Sequence, residues 1–218
     1  AHLGGSFSII EILIALHEEV LTKKDKFILS KAHASFPYCI YLRENGFNPQ
    51  VTTHLEIDQE NSIHCTTGSL GHGLPIGLGM ALARKIQNKQ GNIYVMMGDG
   101  ECQEGTTWES LLIAAKHKLD NLNILLDYNK VQALSAIEEV LPLDNLAEKF
   151  KAFNWNTIEI NDGHSFDEIL PLLQQENLSL KPRVFIFNTI KGKGIKAFEG
   201  DPAWHARKIK GKEMEIGK

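Results

Sequence analysis

The chain is 218 residues long, enough for one large α/β domain, and its 43% hydrophobic and 23% charged content is that of a globular protein, which excludes a disordered chain. A formal net charge of -4 with no Lys/Arg-rich block excludes the basic footprint of a nucleic-acid binder, so Lys208, Lys210 and Lys212 read as a solvated face. No apolar run reaches the roughly 18 residues of a membrane helix, no signal-peptide pattern is present, and Cys39, Cys65 and Cys102 are too few and scattered for a disulfide framework; no membrane association and a cytoplasmic location are expected.

The chain opens at Ala1 inside a motif and without Met, so further residues upstream are expected. The apolar spacing of Ile9, Ile10, Leu13, Ile14, Leu16 and Val20 predicts one amphipathic helix over residues 6–21. A second helix is predicted over 35–44, stopped by Asn45-Gly46. Residues 47–66 form a polar connection, and a connection of this length in a compact domain implies function or hidden structure. Over 70–87 the small residues Gly71, Gly73, Gly77, Gly79, Ala81 and Ala83 interrupt an apolar helix. Each interior Gly costs about 1 kcal/mol relative to Ala. Two readings stay open: close approach by a ligand, helix or subunit, or packing within the chain.

The run Asn92-Ile93-Tyr94-Val95-Met96-Met97 ends in Gly98-Asp99-Gly100-Glu101, and Leu125-Leu126 ends in Asp127-Tyr128-Asn129. Both read as buried strands, with a helix over 104–118 between them. A right-handed crossover makes the strands parallel, so Asp99 and Asn129 emerge together at the carboxyl edge of the sheet, where open α/β folds bind ligands. Neighbouring tips lie about 5 Å apart. A carboxylate and an amide at that spacing share one hard cation such as Mg²⁺, which completes its shell with phosphate oxygens, while Gly98 and Gly100 admit close approach.

Beyond Asn129 the pattern predicts a loop to residue 141, a helix over 144–153, a strand over 155–160, a capping box at Ser165-Phe166-Asp167-Glu168 and a buried strand over 183–190 leading into Lys191-Gly192-Lys193-Gly194. No repeat or linker separates these elements, so residues 1–218 are expected to form a single domain.

Gly98-Asp99-Gly100 with Asn129 closing the next strand resembles the diphosphate-binding signature of thiamine-diphosphate enzymes, and Gly98 to Gly105 with Trp108-Glu109 resembles transketolase in particular. Ala1-His2-Leu3-Gly4-Gly5-Ser6, Leu29-Ser30-Lys31-Ala32-His33-Ala34, Thr67-Gly68-Ser69-Leu70-Gly71-His72-Gly73, Lys118-Leu119-Asp120-Asn121-Leu122, Asp162-Gly163-His164 and Lys191-Gly192-Lys193-Gly194 with Trp204-His205 follow the family's order. The resemblance implies a three-layer thiamine-diphosphate-binding fold, with a mostly parallel central sheet flanked by helices.

It further implies that Asp99, the Asn129 side chain and the Val131 carbonyl bind Mg²⁺, or Ca²⁺ or Mn²⁺ in its place. Gly98, Gly100, Glu101, His33 and His205 are implied around the diphosphate, and Gly68, Ser69 and Leu70 on the thiamine side. His2, His54 and His205 are implied to face a sugar substrate, where imidazoles hydrogen-bond hydroxyls and move protons near neutral pH. Glu104 resembles an interface glutamate that links two active sites; a first-turn helix acid is the alternative. Lys191 and Lys193 either order over an anion or solvate a loop. His72 and His164 stay open between site and turn roles, and His117 reads as an exposed helix residue. Cys102 has no local His or second Cys to activate it.

Ala32 and Ala206 stand where the family usually has Gly, and His72 where it often has Gln, which leaves the hydrogen-bonding groups near the substrate open. The glutamate that activates the cofactor lies, in this family, in a pyrimidine-binding domain after the matched region. The expectation is therefore an N-terminal subunit that requires a separate C-terminal subunit, in a dimer of heterodimers, and transfers a two-carbon ketol unit from a ketose or ketose phosphate to an aldose. A deoxyxylulose-phosphate-synthase-like condensation, a ketoacid decarboxylase and a non-catalytic cofactor-binding subunit remain as alternatives. A nicotinamide-binding Rossmann protein is disfavoured, because no Gly-x-Gly-x-x-Gly follows the first strand.

Overall fold

A computed structural model of the chain describes residues 2–133 and 135–206. Lys208, Lys210 and Lys212, with the first residue of the Ala1 motif, lie outside the described residues. Five strands form one parallel sheet: β1 (Lys26–Leu29), β2 (Ile93–Gly98), β3 (Leu122–Tyr128), β4 (Asn156–Ile160) and β5 (Arg183–Asn188), in spatial order β1-β2-β3-β5-β4. The Asp99 strand and the Asn129 strand are neighbours, with Gly98 opposite Asp127. The short strand Lys26–Leu29, which apolar periodicity does not single out, pairs with β2 at the edge of the sheet.

Eight helices accompany the sheet: α1 (Leu3–Phe7), α2 (Ile10–Glu19), α3 (Ser35–Glu44), α4 (Gly73–Ile86), α5 (Gly105–Lys116), α6 (Ile137–Val140), α7 (Leu146–Ala152) and α8 (Phe166–Leu173). Period-two alternation sorts the strand residues into two cores. Ile28, Val95, Met97, Ile124, Leu126 and Ile186 share one core with residues of α4, α5 and α7. Phe27, Leu29, Tyr94, Met96, Leu125, Phe185 and Phe187 share the other with residues of α2, α3 and α8. The result is the expected three layers, with both sheet faces covered.

Several local expectations change. The helix predicted over 6–21 is two helices, broken where the Ser8 hydroxyl bonds the Gly5 carbonyl at 3.1 Å and the Asp127 carboxylate at 2.7 Å. The 47–66 connection carries a short 3-10 turn at Gln59–Asn61 and buries Leu55, Ile63 and Cys65. The loop predicted to reach residue 141 contains α6. No side-chain cap forms at Ser165 among the described residues; Glu168 instead accepts the Asp162 N–H at 3.1 Å, tying down the turn ahead of α8.

Within α4 the small residues serve packing on the sheet. A Cβ on Gly77 would lie 2.5 Å from Val95 Cγ2, and one on Gly73 would collide with Ser30. Gly79 faces outward. Helix and sheet approach closely here because these side chains are absent.

Candidate functional site

The parallel register delivers the ends of β1, β2, β3 and β5 to one edge, and a cavity of about 210 Å³ opens there. It is lined by Lys31, His33, Leu70, Gly98, Asp99, Gly100, Glu101, Asn129, Val131, Lys191 and His205 among others. A larger groove of about 800 Å³ lies at the other end of the strands, beside Asp25, Asn92, Asn121 and Arg183. The smaller cavity holds the convergent chemistry expected of a site at the carboxyl edge.

Asp99 is buried and follows β2 directly, as the first residue of the 3-10 turn Asp99–Gln103. Its carboxylate accepts the Gly100 N–H at 2.8 Å and the Lys130 N–H at 2.7 Å. Burial, reinforced by the charge of Asp127, pushes its pKa up to about 7 against those donors and Lys31. The Asn129 amide donates to Asp127 at 2.8 Å, and its oxygen accepts the Val131 N–H at 3.1 Å.

The donor set fits a hard cation. Asp99 supplies a carboxylate whose charge is held back by burial, Asn129 an amide oxygen and Val131 a carbonyl, all oxygen ligands. The Val131 carbonyl already faces a positive charge: the Lys191 ammonium donates to it at 2.8 Å and to the Gln132 carbonyl at 3.0 Å. The fit extends to the diphosphate. A Cβ on Gly100 would meet nothing within 4 Å among the described residues, and one on Gly98 only Lys31 Cδ at 3.9 Å. Both glycines line the cavity, so the room they leave is open to a ligand.

Glu101 is fully buried and accepts from the Ser30 hydroxyl and, at 3.0 Å each, from the Gly71 and Gly98 N–H groups. It thereby ties the Asp99 turn to the Gly68–Gly73 loop and to the end of β1. In that loop Leu70 lines the cavity, while Ser69 faces His72 at 3.3 Å and Gly68 lies against His54, 3.1 Å from the position of an added Cβ. His72 therefore serves the turn. Gly71 has φ of +78°, and a Cβ there would come 2.6 Å from that of Glu104, which is solvent-exposed in this chain.

His2, His33 and His205 converge with ring centroids 5.0 to 5.4 Å apart. The His205 Nδ1 lies 3.0 Å from the Lys191 ammonium, and the backbone before it is held by the Phe198–Trp204 stack at 3.8 Å. Burial, with neighbouring lysines and histidines, pushes His33 down to about 2 and His205 to about 4, and lowers His2 as well. The expectation of proton exchange near neutral pH is therefore corrected for these three in the unliganded chain. They are neutral there, and act as hydrogen-bonding groups. His54 joins them from the 47–66 connection, close enough to depress His2.

His164 lies apart from the cavity, its Nδ1 3.0 Å from Glu11 and its Nε2 accepting the Ile190 N–H at 2.9 Å, which anchors the segment leading to Lys191. Cys102 is buried and free, with its thiol pKa raised by burial, in keeping with an inert role. Sequence reasoning gave Lys31 and Asp127 no role. Lys31 is 1% exposed and pairs with the fully buried Asp127 beneath the cavity. The available signal was a charge inside an apolar strand, which costs too much to bury without a partner.

Comparison with known proteins agrees with this geometry. Residues 4–218 match the family described as transketolase, thiamine diphosphate binding domain. One of the two subunits named for apulose-4-phosphate transketolase in Actinobacillus succinogenes is 36% identical, over 99% of this chain and 85% of that protein. The 6-deoxy-6-sulfo-D-fructose transketolase subunit SqwG of a Clostridium species is 35% identical, over 95% and 83% respectively. Among solved structures, transketolase from Campylobacter jejuni superposes with a TM-score of 0.73 at 29% identity, covering 83% of this chain and 31% of its own. Transketolase from Leishmania mexicana, 20% identical, shares the fold with a TM-score of 0.83, over 93% of this chain and 36% of its own. The chain thus spans about a third of the length of these two solved transketolases.

Proposed function

This chain belongs to the transketolase family through its thiamine diphosphate binding domain, and from that premise we propose that it is the diphosphate-binding subunit of a two-part transketolase, transferring a two-carbon ketol unit from a ketose to an aldose. The observation that carries the reading is the cavity at the ends of β2 and β3, where Asp99, Asn129 and the Val131 carbonyl face the room left by Gly98 and Gly100. In this reading those three hold Mg²⁺, and the Gly100 backbone, His33 and His205 meet the diphosphate. Gly68, Ser69 and Leu70 lie along the thiamine, and His2, His54 and His205 hydrogen-bond sugar hydroxyls. Thiamine diphosphate, when bound, supplies the carbon–carbon chemistry; the protein supplies orientation and electrostatics.

Two relatives are named for ketoses that end in an anionic group, a phosphate and a sulfonate, which supports a donor of that kind. They are also named as subunits. This supports a separate C-terminal subunit that brings the activating glutamate, in a dimer of heterodimers. The three free, buried cysteines suit a reducing compartment such as the cytoplasm.

Calorimetry tests the cofactor site: Mg²⁺-dependent binding of thiamine diphosphate is expected, and Asp99→Ala should abolish it. Ketol transfer should then require this chain, the partner subunit, the cofactor and Mg²⁺ together. Absence of transfer from every ketose phosphate or sulfonate offered to the full mixture would overturn the proposal.

A further inference from the structure

We propose that Asp127 is a positioning residue for the cation site, its carboxylate deciding which end of the Asn129 side-chain amide faces the cation; this rests on the reading of Asn129 as a ligand. An amide presents an oxygen and an NH₂ of nearly the same shape, and only the oxygen ligates a hard cation. Something in the protein must choose between them.

Asp127 sits one residue before the end of β3 and is fully buried. Its carboxylate receives four donors from four parts of the chain: the Ser8 hydroxyl at 2.7 Å, the Asn129 Nδ2 at 2.8 Å, the Lys31 ammonium and the Thr189 hydroxyl. Burial alone would raise its pKa, but Lys31 and the hydroxyl donors outweigh burial and hold it below the ordinary carboxylate value. An ionised carboxylate only accepts. The amide must therefore turn its NH₂ toward Asp127 and its oxygen away.

On the far side the arrangement is completed by the Val131 N–H, which donates to that oxygen at 3.1 Å. A flipped amide would set oxygen against carboxylate and NH₂ against N–H, losing both bonds. The hydroxyls of Ser8 and Thr189 and the Lys31 ammonium fix the carboxylate in turn, so the choice is rigid. This explains why a charge interrupts an apolar buried strand two residues before the proposed ligand.

A purely structural role, in which Asp127 only neutralises Lys31, is separated by working in a Lys31→Met background, where no buried ammonium is stranded. The probe is Mn²⁺ with thiamine diphosphate, read from the free-ion resonance, on the full chain alone and assembled with the partner subunit. Asp127→Leu is expected to weaken Mn²⁺ binding by about tenfold or more, the range found when groups orienting a metal ligand are removed. That loss should vanish when Asn129→Ala is already present, because there is then no amide to orient. If Asp127→Leu does not fold, Asp127→Asn, which keeps size and one acceptor oxygen, carries the test with an expected loss of about threefold, again absent on Asn129→Ala. Mn²⁺ binding within about twofold of the background, or an equal loss with and without Asn129, overturns the proposal. Absence of Mn²⁺-dependent cofactor binding by the unaltered chain and its assembly overturns the cofactor reading itself, and this inference with it.

Discussion

At the scale of single residues, the site separates groups that bind from groups that hold. Asp99 and Asn129 stood out in the sequence because each follows an apolar run, and local spacing is enough to put them at a strand tip. Glu101 was equally visible, but its surroundings were not: the donors to it come from residues 30, 71 and 98, and only the fold brings these together. Gly100 lies on the binding side of that division. Its φ is not positive, and an added Cβ would meet no described atom within 4 Å. Gly100→Ala should therefore fold with an unchanged melting temperature by calorimetry, while thiamine diphosphate affinity drops by about tenfold because the methyl enters the cavity.

Among the elements, α4 shows how one sequence pattern contains two physical situations. Gly77 faces Val95, and its replacement by Ala places a methyl carbon 2.5 Å from the valine Cγ2. The helix-propensity gain of about 1 kcal/mol is opposed by overpacking of about 1–3 kcal/mol, so Gly77→Ala should destabilise by about 1 kcal/mol in urea titration. Gly79, on the exposed side with nothing within 4 Å among the described residues, should show the opposite sign, with Gly79→Ala more stable by up to about 1 kcal/mol. The run of small residues was plain in the sequence, and the choice between ligand and packing was not, because a helix pattern gives the face and not what lies against it. The break between α1 and α2 has the same origin. Ser8 fits an unbroken apolar period, and only the distant Asp127 draws its hydroxyl out of the helix.

Across the whole molecule, stability should be coupled to acid through buried histidine. His17 is packed among Phe27, Tyr38 and Tyr41 at centroid distances of 4.8 to 5.4 Å, and its Nε2 is buried without a partner among the described residues. Burial lowers its folded pKa from 6.5 to about 4. The unfolded chain therefore takes up the proton first as pH falls, so stability is full above pH 6.5 and declines through the window down to 4. At about pH 5 the loss from His17 is on the order of 2 kcal/mol. Urea midpoints at pH 7 and pH 5 should show it, and His17→Phe should flatten the difference; an unchanged slope in that variant would rule out His17 as the source. The amino-acid sequence by itself determined the layered α/β class, most of the element positions and the cation pair, because periodicity, strand ends and glycines act over a few residues. Tertiary structure alone decided the convergence of His2, His33 and His205, the seating of Lys191 on the Val131 carbonyl and the Lys31–Asp127 pair beneath them. Their partners lie tens of residues apart in the chain, and it is the register of parallel strands that carries them to one edge.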